Sequence, residues 1–559
     1  MTMERRTFIK GLGAAVALAP GVSILSSSSA RAAGANPHLT AIHSGFLIRS
    51  REARAWHAAK DSMGGPTLAG SPGWRNFLNT VEHELQSWGL ADVFRNPWTY
   101  TRWSTTEWPD DSGWSLHLGE RKVRVASYGC NSGKTPEEGV TAPLVVYREG
   151  MAPEALAGRI AIVVKPSARD LLGGAGAPGG DAAEGIGAAG GATAAAPAAA
   201  AGDDGVRRGD YEYLSTPESF PDPLVPRAES APLSPFPQMG LREEQAALEA
   251  GGAVGALLVL GLSYDALAGT YTFPVPPLHD LPTLYLDREA GAEMIAAAAA
   301  GRSATLRLLS STEEAQTYQL FGYLPGRSYK TPEDEQILLI THTDGPSISQ
   351  DNGAFGILGM VRYLSRIPQA ERPRTLLVFL DCRHYMPGAE RAFAAQDWAA
   401  GHPEIYDKVV AAMGIEHLGQ IQPGEGDGSG YHPTDKAELS TVWTTENQQL
   451  VDWAIAAIEA NRLERVQVQC PGRPGKHGGE QGPWYGLGNI ARRIGVPGVA
   501  TMGSMTAYWT TKARLPWLDA DHFVAQVATM TQICGQLMLA DLKKIEGAPG
   551  AAEPAPPPI

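Results

Sequence analysis

The stretch Ile337–Asn352, ILLITHTDGPSISQDN, constrains this chain more than any other. Ile337 to Ile340 is apolar without a break, as expected of a strand buried on both faces of a parallel sheet. The chain then places His342, Asp344 and Asp351 on a short loop. Open α/β sheets bind their ligands at the C-terminal ends of such strands. Imidazole with carboxylate suits zinc and other divalent metals.

Two further strands end in the same way. Arg374–Leu380 runs into Asp381-Cys382-Arg383-His384, and Lys408–Ile415 into Glu416-His417. Neighbouring strands in a sheet lie roughly 5 Å apart, so these groups can converge. The set His342, Asp351, His384 and Glu416 would make one zinc shell, with Asp344 steadying the His342 imidazole from behind. Singly, each residue is ordinary loop polarity; together, three strand ends point to a metal.

The alternation of strands and helices from Tyr318 to about Lys543 predicts an α/β fold. It is a mostly parallel sheet with helices on both faces. An earlier helix begins near Pro72, carries Phe77, Val81 and Leu85 on one face and stops at Gly89. The segment before it, from Asn36 to Gly64, reads as a lead-in. Between residues 127 and 309, short apolar strands alternate with glycine-rich turns. Within that segment, 172–205 is almost all Gly and Ala and is expected to be disordered, as is the Pro/Ala-rich tail 546–559.

Residues 1–32 read as an export signal. Arg5-Arg6-Thr7-Phe8-Ile9-Lys10 is a twin-arginine pattern, followed by an apolar run too short to span a membrane and by Ala30-Arg31-Ala32. The expected location is periplasmic or secreted. The chain of 559 residues carries a formal charge of −14; the signal is net +3, leaving −17 beyond it. That charge argues against nucleic acid or an anionic membrane as partner. A small-molecule or peptide substrate is expected, and nothing fixes the oligomeric state. Four scattered cysteines, Cys130, Cys382, Cys470 and Cys534, allow at most an isolated bridge.

These motifs resemble the zinc-dependent aminopeptidase superfamily that includes glutamate carboxypeptidase II, glutaminyl cyclase and transferrin receptor. The resemblance rests on Leu68-Ala-Gly-Ser-Pro-Gly73, His342-Thr-Asp344, Asp351-Asn352 and Asp381-Cys-Arg-His384 with Gly388-Ala389. It continues in Glu416-His-Leu-Gly419, Gly495-Val-Pro-Gly498 and Tyr508-Trp509-Thr510. It implies a zinc-peptidase-like catalytic domain made of 36–126 and 310–545, with 127–309 an inserted, small β-rich protease-associated domain. Tyr508 and Trp509 would then lie beside the substrate.

The departures shape the functional expectation. The family's Glu-Glu pair is absent. In one register Arg383 stands on the general base and His384 on a metal ligand; one residue earlier, Cys382 and Arg383 do. Arginine cannot take a proton from water near neutral pH, so its expected role is to polarise or anchor substrate. Trp509 replaces the family's final histidine, for which His477 is a candidate substitute. Glu480 and His417 are candidates for the missing base. The expectation is one divalent ion, zinc or another, in a hydrolase or related lyase whose substrate need not be a peptide. The alternatives are a working aminopeptidase or carboxypeptidase and a catalytically silent binding protein.

Overall fold

The computed structural model describes residues 35–165, 214–215, 240–273, 275–387, 403–426, 430–445, 447–469, 484, 486–503 and 509–545. The expectations for the signal 1–32, the insertion 172–205, the tail 546–559, a helix over 388–396, Cys470, His477, Glu480 and Tyr508 lie outside these residues.

The central sheet is built from β1 (Ala91–Ser104), β2 (Ser311–Leu324), β3 (Gln336–His342), β4 (Thr375–Asp381), β5 (Val409–Ile415), β6 (Ser440–Thr444), β7 (Val466–Gln469) and β8 (Gly498–Gly503). Among the described residues its order is β1-β2-β4-β3-β5-β8-β6-β7, with the short strand Leu214–Ser215 at the far edge. The middle, β4-β3-β5-β8, is parallel throughout. The outer pairs β1/β2, β2/β4 and β8/β6 are antiparallel. The parallel character expected for the sheet is thus concentrated in the four strands whose every residue is buried or nearly so. In the long β1/β2 ribbon β1 is mostly exposed or half-buried, and β2 runs from an exposed start, 311–314, to a buried stretch, 319–322.

Alternate residues of the central strands feed two separate cores. Ile337, Leu339, Leu376, Val378 and Met413 face the helices α1 (Ser50–Asp61), α2 (Pro72–Ser87), α3 (Gly353–Ser365), α4 (Gln448–Ala460) and α5 (Ala520–Leu539). Leu338, Ile340, Leu377, Phe379 and Ala412 share a core with Leu116, Ile160, Leu257 and Leu284 of a second sheet, and with the short helix Ile490–Ile494. So helices cover one face, and a second sheet occupies much of the other.

That second sheet has eight strands among the described residues, drawn from 114–308. Its centre, Val140–Val146, Ile160–Val164, Gly255–Val259 and Thr283–Leu286, is parallel.

Local signals explain the main boundaries. The Ser71 hydroxyl accepts from Trp74 N at 3.1 Å and caps α2, with Pro72 in its first turn. The Asp287 carboxylate caps helix Arg288–Ala299 through Glu289 N and Ala290 N. The lead-in segment, by contrast, contains α1, which buries Trp56, His57 and Lys60. Cys130, Cys382 and Cys534 are buried free thiols. No helix of the described residues is long and apolar enough to cross a membrane.

Candidate metal centre

Register sets the site. His342 on β3 pairs with Asp381 on β4, and Ile340 pairs with Gly414 on β5. The polar residues that end these three strands therefore lie level with one another. Helix α3 starts tight against the end of β5. A Cβ at Gly353 would be driven into the Ile415 carbonyl and Thr341 Oγ1, so only glycine allows this approach.

Three imidazoles converge here. Ligand atoms of His342, His384 and His417 all lie within 4.8 Å of one another, the only such group among the described residues. His342 Nδ1 donates to the Asp344 carbonyl at 2.9 Å, which leaves the lone pair on Nε2. That Nε2 faces His417 Nε2 at 3.1 Å. The His384 ring stacks on that of His342, with centroids 4.0 Å apart and 16° between planes.

His417 reaches this position from a left-handed backbone, φ 54°. Such a conformation costs a non-glycine residue about 1–3 kcal/mol and collects at functional sites. Burial holds His342 neutral, with its pKa down at about 3. Burial, and then the nearness of His342, lowers His417 well below its usual value. Two neutral imidazoles aimed at each other, one with its far nitrogen bonded to a carbonyl, have the donor chemistry and outer support of zinc ligands. The residues therefore fit a divalent ion.

Glu416 sits at the edge of the group. Its Oε2 is 3.7 Å from His342 Nε2, while Oε1 accepts from Leu487 N at 2.7 Å. Burial holds its carboxyl up at about 8, against the pull of the Leu487 and Gly488 amides. Oε2 has no hydrogen-bond partner among the described residues.

Asp351 does not join the imidazoles. Its two oxygens are taken by the Lys60 ammonium and the Thr67 hydroxyl. Lys60 is 3% exposed and also donates to the carbonyls of Ser347 at 3.2 Å and Ile348 at 3.3 Å. Burial raises the Asp351 pKa and lowers that of Lys60, and their mutual attraction opposes both shifts. A protein ammonium thus balances the carboxylate that sequence reasoning assigned to a metal. Of the expected set, His342 and His384 come together with His417, Glu416 lies alongside, and Asp351 lies apart on Lys60 and Thr67.

The remaining expected residues lie nearby in other roles. The Asp344 carboxylate accepts from His384 N at 3.2 Å and Tyr385 N at 2.6 Å. It pins the turn after β4, while its backbone carbonyl, not its side chain, orients His342. Arg383 is 1% exposed. It donates from Nε to Asp381 Oδ1 at 3.3 Å and lies over the Trp98 ring at 4.6 Å, on the β1 side. Trp509 is buried and stacks on Phe273, 4.8 Å between centroids, and Phe273 in turn stacks on His384 at 4.6 Å.

Sequence reasoning did not assign Lys60 or Phe273 to the site. Trp56, His57 and Lys60 have the spacing of one helical face, which was the available signal for Lys60. Phe273 belongs to a remote segment and carried none.

No protein-family model matches the chain, and no curated protein matches it. Solved structures do. The aminopeptidase from Aneurinibacillus sp. strain AM-1 is 13% identical, with 89% of this chain and 94% of that one covered at a TM-score of 0.52. BSAP, a zinc aminopeptidase from Bacillus subtilis, is 13% identical over 88% and 96% at 0.54. A Peptidase M28 precursor from Shewanella amazonensis SB2B is 14% identical over 88% and 95% at 0.53. At such identities the likeness is one of fold: this chain has the fold of the zinc aminopeptidases, with a divergent set of side chains at its strand ends.

Proposed function

We propose that this protein is an exported hydrolase with a single divalent ion, zinc or a close relative, held by His342, His384 and His417. The observation that carries the reading is that one ligand atom from each of three imidazoles lies within 4.8 Å of the other two. An ion held there would supply Lewis-acid polarisation of a substrate carbonyl or phosphoryl oxygen.

The chain's own groups supply the rest. The Asp344 carbonyl fixes the tautomer of His342. Glu416, buried beside His342 Nε2, is the group placed to hold or pass a proton. His342 and His417 are shut from solvent and His384 is partly exposed, so substrate approaches on the His384 side. Arg383 and Asp344 act in this reading by shaping the turn that carries His384.

Lys60 Nζ lies against the Asp351 carboxylate, and an ammonium there offsets the charge a second ion would otherwise balance, which favours one ion over two. A site so altered need not cleave peptides, and esters and non-peptide amides are candidate substrates. Under the same proposal, residues 1–32 direct export and 127–309 is the protease-associated insertion.

The test is hydrolysis of a panel of peptide p-nitroanilides, acyl amides and esters by the purified protein, with and without chelator. At least one activity should vanish with chelator, return with added zinc and be lost in His417→Ala. Activity indifferent to both chelator and His417→Ala would overturn the proposal.

A further inference from the structure

The segment carrying Phe273 belongs to the part of the chain that forms the second sheet, yet it is knitted to the end of the catalytic fold. Tyr271 N donates to the Trp509 carbonyl at 2.6 Å, Thr511 N to the Gly269 carbonyl at 2.9 Å, and Thr510 Oγ1 to the Ala268 carbonyl at 2.5 Å. Thr270 and Thr510 form an antiparallel bridge.

This seam delivers one aromatic ring to the metal centre. Four rings stack in a column. Trp509 and Phe273 are inclined at 29°, Phe273 and His384 at 25°, and His384 and His342 at 16°. The His384 imidazole is therefore sandwiched between the Phe273 ring and the His342 ring. The two neighbouring rings have other anchors: Phe273 is buried against Trp509 and Tyr385, and His342 is tied to the Asp344 carbonyl.

His384 stands apart from the other two imidazoles in being partly exposed. Its backbone N donates to the Asp344 carboxylate, and its ring also meets the Tyr385 ring edge-on, 5.4 Å between centroids. A ligand on a strand-end turn with an open side has rotamers that leave the metal centre, and every such rotamer lowers the population ready to bind. A flat face on each side removes them.

We infer that Phe273 is a positioning residue that holds His384 in its metal-facing rotamer, so that the second sheet sets the metal affinity of the first. This rests on the metal reading of the three histidines. Aromatic stacking of this geometry corresponds to a factor of roughly 2–10 in an equilibrium constant. The contact is specific to a flat ring: Tyr and Trp preserve it, whereas Leu preserves the apolar volume without the planar face.

The experiment measures zinc affinity by competition with a chromogenic chelator on the full chain, for wild type, Phe273→Tyr and Phe273→Leu. The same proteins are loaded with cobalt(II), whose visible absorption reports ligand geometry, and their melting temperatures are recorded metal-free. Phe273→Leu should bind zinc about 5–10-fold more weakly with an altered cobalt spectrum. Phe273→Tyr should match wild type in both.

Leu284→Ala, a cavity in the core of the second sheet, should lower the melting temperature while leaving zinc affinity unchanged. Equal affinities for wild type and Phe273→Leu would overturn the inference while leaving the metal reading intact. So would a loss of affinity in Leu284→Ala as large as that in Phe273→Leu. A wild-type protein that binds neither zinc nor cobalt would overturn both.

Discussion

At the scale of single residues, the informative feature is how charge is distributed between two neighbouring groups. Asp351 and Lys60 form a buried ion pair with three further oxygen contacts, while burial keeps the His342 imidazole beside them neutral. Removing one partner of such a pair strands the other charge. Lys60→Met should therefore destabilise the protein by roughly 3–5 kcal/mol. Lys60→Met combined with Asp351→Leu should recover most of that loss, because it leaves no isolated charge. Chemical denaturation of the four proteins of this cycle checks it, and additive losses would refute the pairing.

A second prediction comes from His57, one turn earlier on α1. Its Nδ1 donates to the Ala53 carbonyl and its Nε2 accepts from the Asn352 side chain. Burial brings its pKa from 6.5 to about 3. The folded state thus binds the proton less well than the unfolded chain. The stability that follows is complete above pH 6.5 and is lost as pH falls toward 3, at about 1.4 kcal/mol per unit for one proton. His57→Gln should have a shallower acid dependence of unfolding free energy than wild type. Parallel curves would contradict the assignment.

At the scale of elements, the site depends on how closely helix α3 and strand β5 approach. Gly353→Ala should push the start of α3 from the end of β5 and displace Glu416-His417. The expected loss is about 3 kcal/mol, typical of a side chain forced into a packed core. A melting temperature within a degree of wild type would show that the contact is looser than described.

The elements around this junction were legible because their apolar runs are long and their stops unambiguous. β3, β4 and α2 fall within a residue or two of the limits read from the sequence. The ribbon of β1 and β2 was not legible, since its exposed margin mixes Trp, Thr, Arg and Glu without a continuous apolar run. Helix α1 was missed because it is polar, with only Ala53, Trp56, His57 and Lys60 turned inward.

The site itself was half legible. His342, His384 and Glu416 could be placed from strand ends. His417 was named only as a candidate base; simple strand alternation would point it away from its neighbour Glu416. Its left-handed backbone turns it back, and no sequence pattern announces that. Arg383, at a strand end like the others, lies instead against Asp381 and Trp98.

At the scale of the molecule, the two sheets share one core through alternate residues of β3, β4 and β5. The segment 268–273 extends that junction to the imidazoles. The zinc-aminopeptidase fold supplies the strand ends, and which side chains follow them decides the chemistry; here three of those side chains are the histidines His342, His384 and His417. The most direct test is the metal content of protein purified without added metal, measured by elemental analysis against protein concentration. The account predicts about one equivalent, lost in His417→Ala and retained in Asp351→Asn. Two equivalents, or one that survives His417→Ala and disappears in Asp351→Asn, would contradict it.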